Sequence, residues 1–274
     1  MQSKLEVYDT ARRPPPFLEE LLALMTYKEL VIQFVSRSIK TRYKRSVLGV
    51  LWTMLNPLFM MIILTLVFSN IFRFSIKNYP VYILCGLTVW NFFASSTSAA
   101  MGDMIWSGSL LSRIFVPKSI FTISSIGTGL VNFLIALIPL FAITLVLGVK
   151  IHPAVLVMPL AIVLLVVFAL GMGLLLSAAA VYFPDMLPVY EVLLTLWLYS
   201  SPIIYPIEIV PQNLVWIFKL NPMYYLVHLF RAPLFDGIVP GLREWLIGGG
   251  CAFGALLIGW AVFTSKSHEY AYRI

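Results

Sequence analysis

Three histidines, two cysteines and twelve acids are the side chains from which this chain could build a catalytic or metal centre. They are scattered. His152, His228 and His268 stand far apart, and none has metal-ligand spacing to another histidine or cysteine. Cys85 and Cys251 both lie in apolar runs, form no disulfide framework or metal motif, and read as small apolar side chains. No apolar run carries paired carboxylates at helical spacing for acid–base work. Glu191 is the one acid inside such a run. An acid there is a functional candidate, weighed against a salt bridge or a solvated helix end. Phosphate chemistry lacks its cradle: Gly-x-x-x-x-Gly-Lys-Ser/Thr is absent, and Lys266-Ser267 follows Ser265 rather than glycine. Gly171-Met172-Gly173 lacks the third glycine of a dinucleotide fingerprint. The expectation is a chain that is not an enzyme and binds no cofactor itself. One acid is too little for proton coupling, so any energy source is expected on another chain.

The elements that would position such residues follow from composition. Of 274 residues, 60% are hydrophobic and 11% charged, against about 25% charged in a soluble domain. A soluble enzyme cannot be coated with so few charges, and disorder needs the opposite balance. A polytopic, all-α membrane protein remains. Crossing the hydrocarbon core takes about 20 apolar residues, and six runs qualify: about 48–72, 80–101, 119–147, 154–182, 187–205 and 245–265. Gly250-x-x-x-Gly254 in the last permits close helix packing. No apolar stretch in the first 16 residues suggests a cleavable signal.

Charge placement orients the spans. The net charge is +7, concentrated near the start rather than on a soluble basic face, so nucleic acid is not an expected partner. With the N-terminus inside, cytoplasmic pieces carry thirteen Lys/Arg and outer pieces six, so both termini are expected in the cytoplasm. The segment 206–240 is apolar enough to imitate a seventh span. It holds Glu208, Lys219, His228, Arg231 and Asp236 among five prolines, and each central charge would cost about 2.5–3.5 kcal/mol in lipid. Short re-entrant helices on the outer side are expected instead.

Two cytoplasmic pieces stand out. Residues 17–47 read as one or two amphipathic helices, with Arg37, Lys40, Arg42, Lys44 and Arg45 at the end nearest the first span. Such a helix lies in the interface and can attract lipid phosphates; plain topology explains the same charges. Residues 102–118 offer a short amphipathic helix, with Asp103 as its cap, Leu110, Leu111, Ile114 and Phe115 on one face, Arg113 and Lys118 on another, and Pro117 closing it.

The run Arg42-Tyr43-Lys44-Arg45-Ser46-Val47-Leu48-Gly49-Val50-Leu51-Trp52, followed by Asn56-Pro57, resembles the approach to the first span in membrane subunits of ABC-type polysaccharide exporters, the O-antigen and teichoic acid export family. Ser201-Pro202-Ile203-Ile204-Tyr205-Pro206, Asn221-Pro222 and Arg231 extend the likeness over about residues 26–265. Phe183-Pro184-Asp185 departs from it, because the family usually has an arginine before that aspartate.

The resemblance implies a homodimer of six-span subunits in the cytoplasmic (inner) membrane, with two copies of a separate ATP-binding subunit that holds ATP and Mg. It implies a cytoplasmic tail at 1–25, an amphipathic interface helix at 26–47, a transmembrane domain at 48–265, an ATPase-coupling helix at 103–118, a re-entrant outer gate at 206–240 and a cytoplasmic tail at 266–274. The cargo would be undecaprenyl-diphosphate-linked polysaccharide, the carrier phosphate drawn by Arg37 to Arg45. The expected path is a channel at the dimer interface. Its candidate lining is Tyr82, Trp90, Phe93 and Thr97 on the second span and Tyr190, Trp197 and Ser201 on the fifth, where core packing competes as an explanation. Tyr205, Trp216, Tyr224, Tyr225 and Arg231 are candidates for the outer gate. Teichoic acid, a smaller lipid or drug cargo, and a lipid-carrier transferase stand as alternatives; the transferase lacks clustered acids or histidines.

Overall fold

The structure, a computed structural model, describes residues 16–44, 49, 51–68, 76–106, 116–183, 185–267 and 269–270. Among these residues the chain is helical without strands. Two amphipathic helices, α1 (Pro16–Thr26) and α2 (Lys28–Tyr43), lead into α3 (Leu51–Leu66), α4 (Tyr79–Trp106) and α5 (Ser119–Val146). A 3-10 turn at Pro153–Val157 starts α6 (Met158–Tyr182), and α7 (Met186–Tyr199) follows. Beyond a 3-10 turn at Ile207–Ile209 come the short α8 (Val215–Lys219), α9 (Pro222–Phe235) and α10 (Leu242–Ser265).

Three segments are long and apolar enough to cross a membrane: Ser119–Val146, Pro153–Tyr182 and Leu242–Ser265. The helices α3 and α7 are apolar but shorter. At 28 residues α4 is long enough, yet Asn91 and the run Ser95-Ser96-Thr97-Ser98 dilute its hydropathy. It can carry them because protein covers it. It packs against α3, α5, α6, α7 and α9, and its buried residues run from Tyr79 to Met104 around most of its circumference. Protein covers Ser96 and Thr97 fully, and each helical Ser or Thr can return its proton to the preceding turn, as Thr88 does to the Leu84 carbonyl at 2.7 Å and the exposed Ser95 to the Asn91 carbonyl at 2.6 Å.

Several sequence expectations shift. The fifth run, expected at 187–205, ends as a helix at Tyr199, because Pro202 offers no N–H and disfavours helix before it. The residues of the expected 1–25 tail include all but the last residue of α1, and Tyr27 separates it from α2. Asp103 does not cap a separate coupling helix; it sits in the last turn of α4. Of the expected coupling helix, 107–115 lies outside the described residues, as does Arg45. The segment 206–240 is helical only in α8 and α9 and one 3-10 turn.

The Gly250-x-x-x-Gly254 motif is not the packing site, since a Cβ at either glycine meets nothing within 4 Å. The close approach is between Gly171 of α6 and Gly259 of α10. A Cβ on Gly171 would sit 2.4 Å from the Ala255 backbone, and one on Gly259 would sit 2.0 Å from the Gly171 carbonyl oxygen. With no hydrophobic drive between helices in lipid, backbone approach over small residues supplies the packing. Gly171→Leu should therefore lower the detergent-solubilised melting temperature, at a cost of about 3 kcal/mol or more, while Gly250→Leu leaves it nearly unchanged. Thermal unfolding of the two variants checks the contrast.

Candidate functional site

Where α7 stops, the chain runs through Ser200–Tyr205 without helix, so its carbonyls lose their i+4 donors. Four of them in succession find side-chain donors. Arg231, only 7% exposed, donates from Nη1 to Pro202 O at 3.2 Å and from Nη2 to Ile203 O at 3.0 Å. The Tyr79 hydroxyl donates to Ile204 O at 2.6 Å, and the Tyr82 hydroxyl to Tyr205 O at 3.1 Å. The guanidinium also lies 3.8 Å from the centroid of the Tyr82 ring, a cation–π contact in a desolvated setting. Among the described residues Arg231 has no ion pair, and its Nε has no hydrogen-bond partner. Gly86 makes the room: a Cβ there would lie 2.5 Å from Nη2.

Asn221 ties the same turn to α9. Its Oδ1 caps the helix by accepting from Met223 N at 3.0 Å and also accepts from Trp197 Nε1 at 2.8 Å. Its Nδ2 donates to Ser201 Oγ at 2.7 Å and Ser200 O at 3.2 Å. Pro222 then occupies the first helical turn, where a missing N–H costs nothing. The motifs Ser201–Pro206, Asn221-Pro222 and Arg231 thus converge on one knot. Asn221 as a linchpin, Tyr79 and Gly86 were missed by sequence reasoning; a glycine in mid-helix and an Asn-Pro pair were the available signals.

Six of the seven candidate channel-lining side chains pack between α4 and α7, and Tyr82 lies apart from them against Arg231 and Phe235. Trp197 packs edge-on against Phe93 at 5.2 Å and Trp90 at 6.2 Å. Thr97 and Tyr190 share a hydrogen bond of 2.7 Å between hydroxyls. Ser201 returns its proton to Trp197 O. Tyr82, Trp90, Phe93, Thr97, Tyr190 and Ser201 are all buried. Trp90, Phe93 and Thr97 of α4 pack against Tyr190, Trp197 and Ser201 at α7 and its end, and α7 turns Glu191, Thr195 and Tyr199 outward.

Of the outer-gate candidates, Arg231 is buried and clamps the turn after α7. Tyr205 donates to Tyr199 O at 2.6 Å and packs on Phe218. Tyr224 touches Tyr225 edge-on and stacks on His228, which faces Glu244 at 3.4 Å. Trp216 is exposed. Beneath them a cavity of about 320 Å³ is lined by Tyr82, Glu208, Tyr224, His228, Arg231 and Asp236. Burial pushes the Asp236 carboxyl above its ordinary range, while His228 and Arg231 pull it down.

At the opposite, basic end, a second knot surrounds the start of α5. The Glu20 carboxylate on α1 accepts from Ser119 N at 3.0 Å and Ser119 Oγ at 2.7 Å, an anion at a helix N-terminus. Lys118 donates to Ser267 O and lies 5.7 Å from the Tyr270 ring centroid; burial pushes its ammonium below the usual range and Glu20 pulls it back up. Asp103 accepts from Ser125 Oγ at 2.5 Å. Arg37, Lys40 and Lys44 line the outer side of α2, and Arg42 with Tyr43 faces the start of α3. Leu110, Leu111, Arg113, Ile114 and Phe115 lie outside the described residues.

Residues 29–235 match the family described as ABC-2 type transporter. The chain is 28% identical to an O-antigen export system permease protein of Myxococcus xanthus, covering 92% of this chain and 97% of that one. It is 26% identical to a capsule polysaccharide export inner-membrane protein of Neisseria meningitidis serogroup A, over 92% and 95% of the two chains. A polysialic acid transport protein of Escherichia coli is 28% identical over 74% of this chain and 80% of its own.

Arg231→Met should leave the Pro202 and Ile203 carbonyls without donors and destabilise the protein by about 3 kcal/mol. Arg231→Lys should recover only part of that, because an ammonium cannot span both carbonyls while lying flat on Tyr82. Melting temperatures of the three proteins in one detergent check the order.

Proposed function

We propose a function from one plain premise: this chain belongs to the ABC-2 type transporter family. It is the permease subunit of an ATP-driven exporter of lipid-linked polysaccharide of the O-antigen kind. The observation that supports this reading most is collinearity: nearly the whole of this chain aligns with nearly the whole of an O-antigen export permease. A sequence without a phosphate cradle needs ATP hydrolysis, with its Mg, on a separate chain. Two permeases and two such subunits form the complex in the inner membrane, with both termini cytoplasmic and six crossings per permease: α3, α4, α5, α6, α7 and α10. The outer segment 206–240 stands over the far mouth. Capsule polysaccharide is a second cargo class, favoured by the similarity to capsule and polysialic acid proteins.

In this assembly the segment 103–118 meets the ATP-binding subunit. The Glu20–Ser119 pair and the Lys118–Ser267 bond hold its far end to α1 and the C-terminal residues, so a push on the segment moves α5 and α10 together. Deleting the chain in its host should abolish surface polymer, and the wild-type gene should restore it; persistence of polymer in the deletion overturns the reading. Ser119→Ala and Glu20→Gln should assemble normally yet lower export per ATP hydrolysed by about tenfold, as loss of a charge-assisted bond worth ~1.5–3 kcal/mol implies. Arg113→Ala should lower ATP hydrolysis itself. Coupled ATPase and export assays on the reconstituted complex separate the two effects.

A further inference from the structure

A crevice of about 400 Å³ opens between the end of α2 and the helices α3, α4 and α5, within the range of about 300–1,000 Å³ typical of ligand sites. It starts at Arg42 and Tyr43 at the basic end and reaches Asn91 and Asn132. Asn91 is the thirteenth residue of α4 and Asn132 the fourteenth of α5, so both lie about 20 Å from either end of their helices at 1.5 Å per residue. That is mid-bundle depth. Polar groups stand open to the crevice at that depth: Asn56 and Ser95 are exposed, and Asn91 and Asn132 half-buried.

The hydrogen-bond accounting is unfinished. Among the described residues the side-chain amides of Asn56 and Asn91 have no protein partner. An unsatisfied amide in hydrocarbon costs ~4–8 kcal/mol on an alkane scale, so neither can face lipid tails. The neighbouring hydroxyls have already spent their protons on the protein. Ser95 donates to Asn91 O at 2.6 Å, Thr88 to Leu84 O at 2.7 Å, and Tyr43 to Asn132 Oδ1 at 2.9 Å. Their lone pairs remain as acceptors, beside amides that both donate and accept. That combination fits a ring of hydroxyls, which also donate and accept. Trp52, 57% exposed at the first turn of α3, offers an aromatic face, and apolar sugar faces stack on such rings. At the mouth Arg42 has no ion-pair partner among the described residues and supplies one fixed positive charge for a phosphate.

We propose that this crevice binds the sugar–diphosphate junction of the carrier lipid, with Arg42 on the phosphate, Asn56 and Asn91 on the first sugar's hydroxyls, and Trp52 beneath its ring. The assignment rests on the polysaccharide-export reading and names the part of the cargo that this subunit itself recognises. Lipid headgroups share the phosphate chemistry but not the sugar. Binding to the wild-type permease with its ATP-binding partner in nanodiscs would be measured for three probes: undecaprenyl diphosphate N-acetylglucosamine, undecaprenyl diphosphate and phosphatidylglycerol. Asn91→Leu and Asn56→Leu should each weaken the sugar-bearing probe about tenfold, one hydrogen-bonding group each, and leave the bare diphosphate unchanged. Arg42→Gln should weaken both diphosphates. Asn56 is exposed, so its variant folds even where Asn91→Leu disturbs α4. Sugar-probe affinities equal to wild type in both asparagine variants overturn the site while export persists. Phosphatidylglycerol competing as well as the sugar-bearing probe reassigns the crevice to bulk lipid and overturns it too. A wild-type complex that neither binds the carriers nor exports polymer overturns the export reading itself.

Discussion

Four consecutive backbone carbonyls, at Pro202, Ile203, Ile204 and Tyr205, set the terms for one end of this molecule. A helix would satisfy them internally, but Pro202 denies the helix. Water cannot satisfy them, because Ser201, Pro202, Ile203 and Ile204 are buried. Their donors come from two other elements: Tyr79 and Tyr82 on α4 and Arg231 on α9. A buried guanidinium normally demands a carboxylate. Here carbonyl dipoles and the Tyr82 ring take that place, with no ion pair to Arg231 among the described residues. Because three elements meet at that bond set, loosening any one strands polar groups on the other two.

The same constraint explains why α4 tolerates so much polarity. Its outer end must present Tyr79 and Tyr82 to the turn and hold Gly86 against Arg231. Its middle then packs Trp90, Phe93 and Thr97 against α7. Those contacts fix one side of the helix, and α5 and α6 fix another. What remains is the side with Asn91, Ala94, Ser95 and Ser98, all incompletely buried. Polar residues on that remaining side are affordable only where water, cargo or a second subunit reaches them.

Much of this was legible beforehand, and the failures have physical causes. The long apolar runs of α5, α6 and α10 are read directly from hydropathy, since nothing in them competes with burial. Charges at 206–240 argue against a seventh ordinary span, because the cost of a lipid-facing charge is local and large, and the longest helix described in that segment is the 14-residue α9. The aromatic stripe on α4 left two readings open, channel lining and core packing. Helical spacing placed Tyr82, Trp90, Phe93 and Thr97 on one side but carries no information on whether that side faces a conduit or another helix. Likewise Gly250-x-x-x-Gly254 has the right spacing on the wrong face, and Gly171 with Gly259 makes the contact. Asn221, whose three hydrogen bonds to Trp197, Ser200 and Ser201 join α7 to α9, was visible only as half of an Asn-Pro pair, because those partners lie about 20 residues away in sequence.

The two ends of the bundle use their arginines differently. At the Arg231 end the positive charge is locked to backbone carbonyls, so it is unavailable to anything mobile. At the basic end Arg37, Lys40, Arg42 and Lys44 are not buried and carry no ion pair among the described residues. An anion approaching along the membrane surface at this end therefore meets a cluster of cations on one helix, α2. From Arg42 the polar groups continue inward through Asn56 to Asn91 and Asn132, roughly half the length of a span. A charged headgroup needs the cation at the mouth, while uncharged hydroxyls need only the amides beyond it. The order in which these groups occur along the crevice is thus the order in which a phosphate-linked sugar, entering sugar-first, would present its chemistry to them.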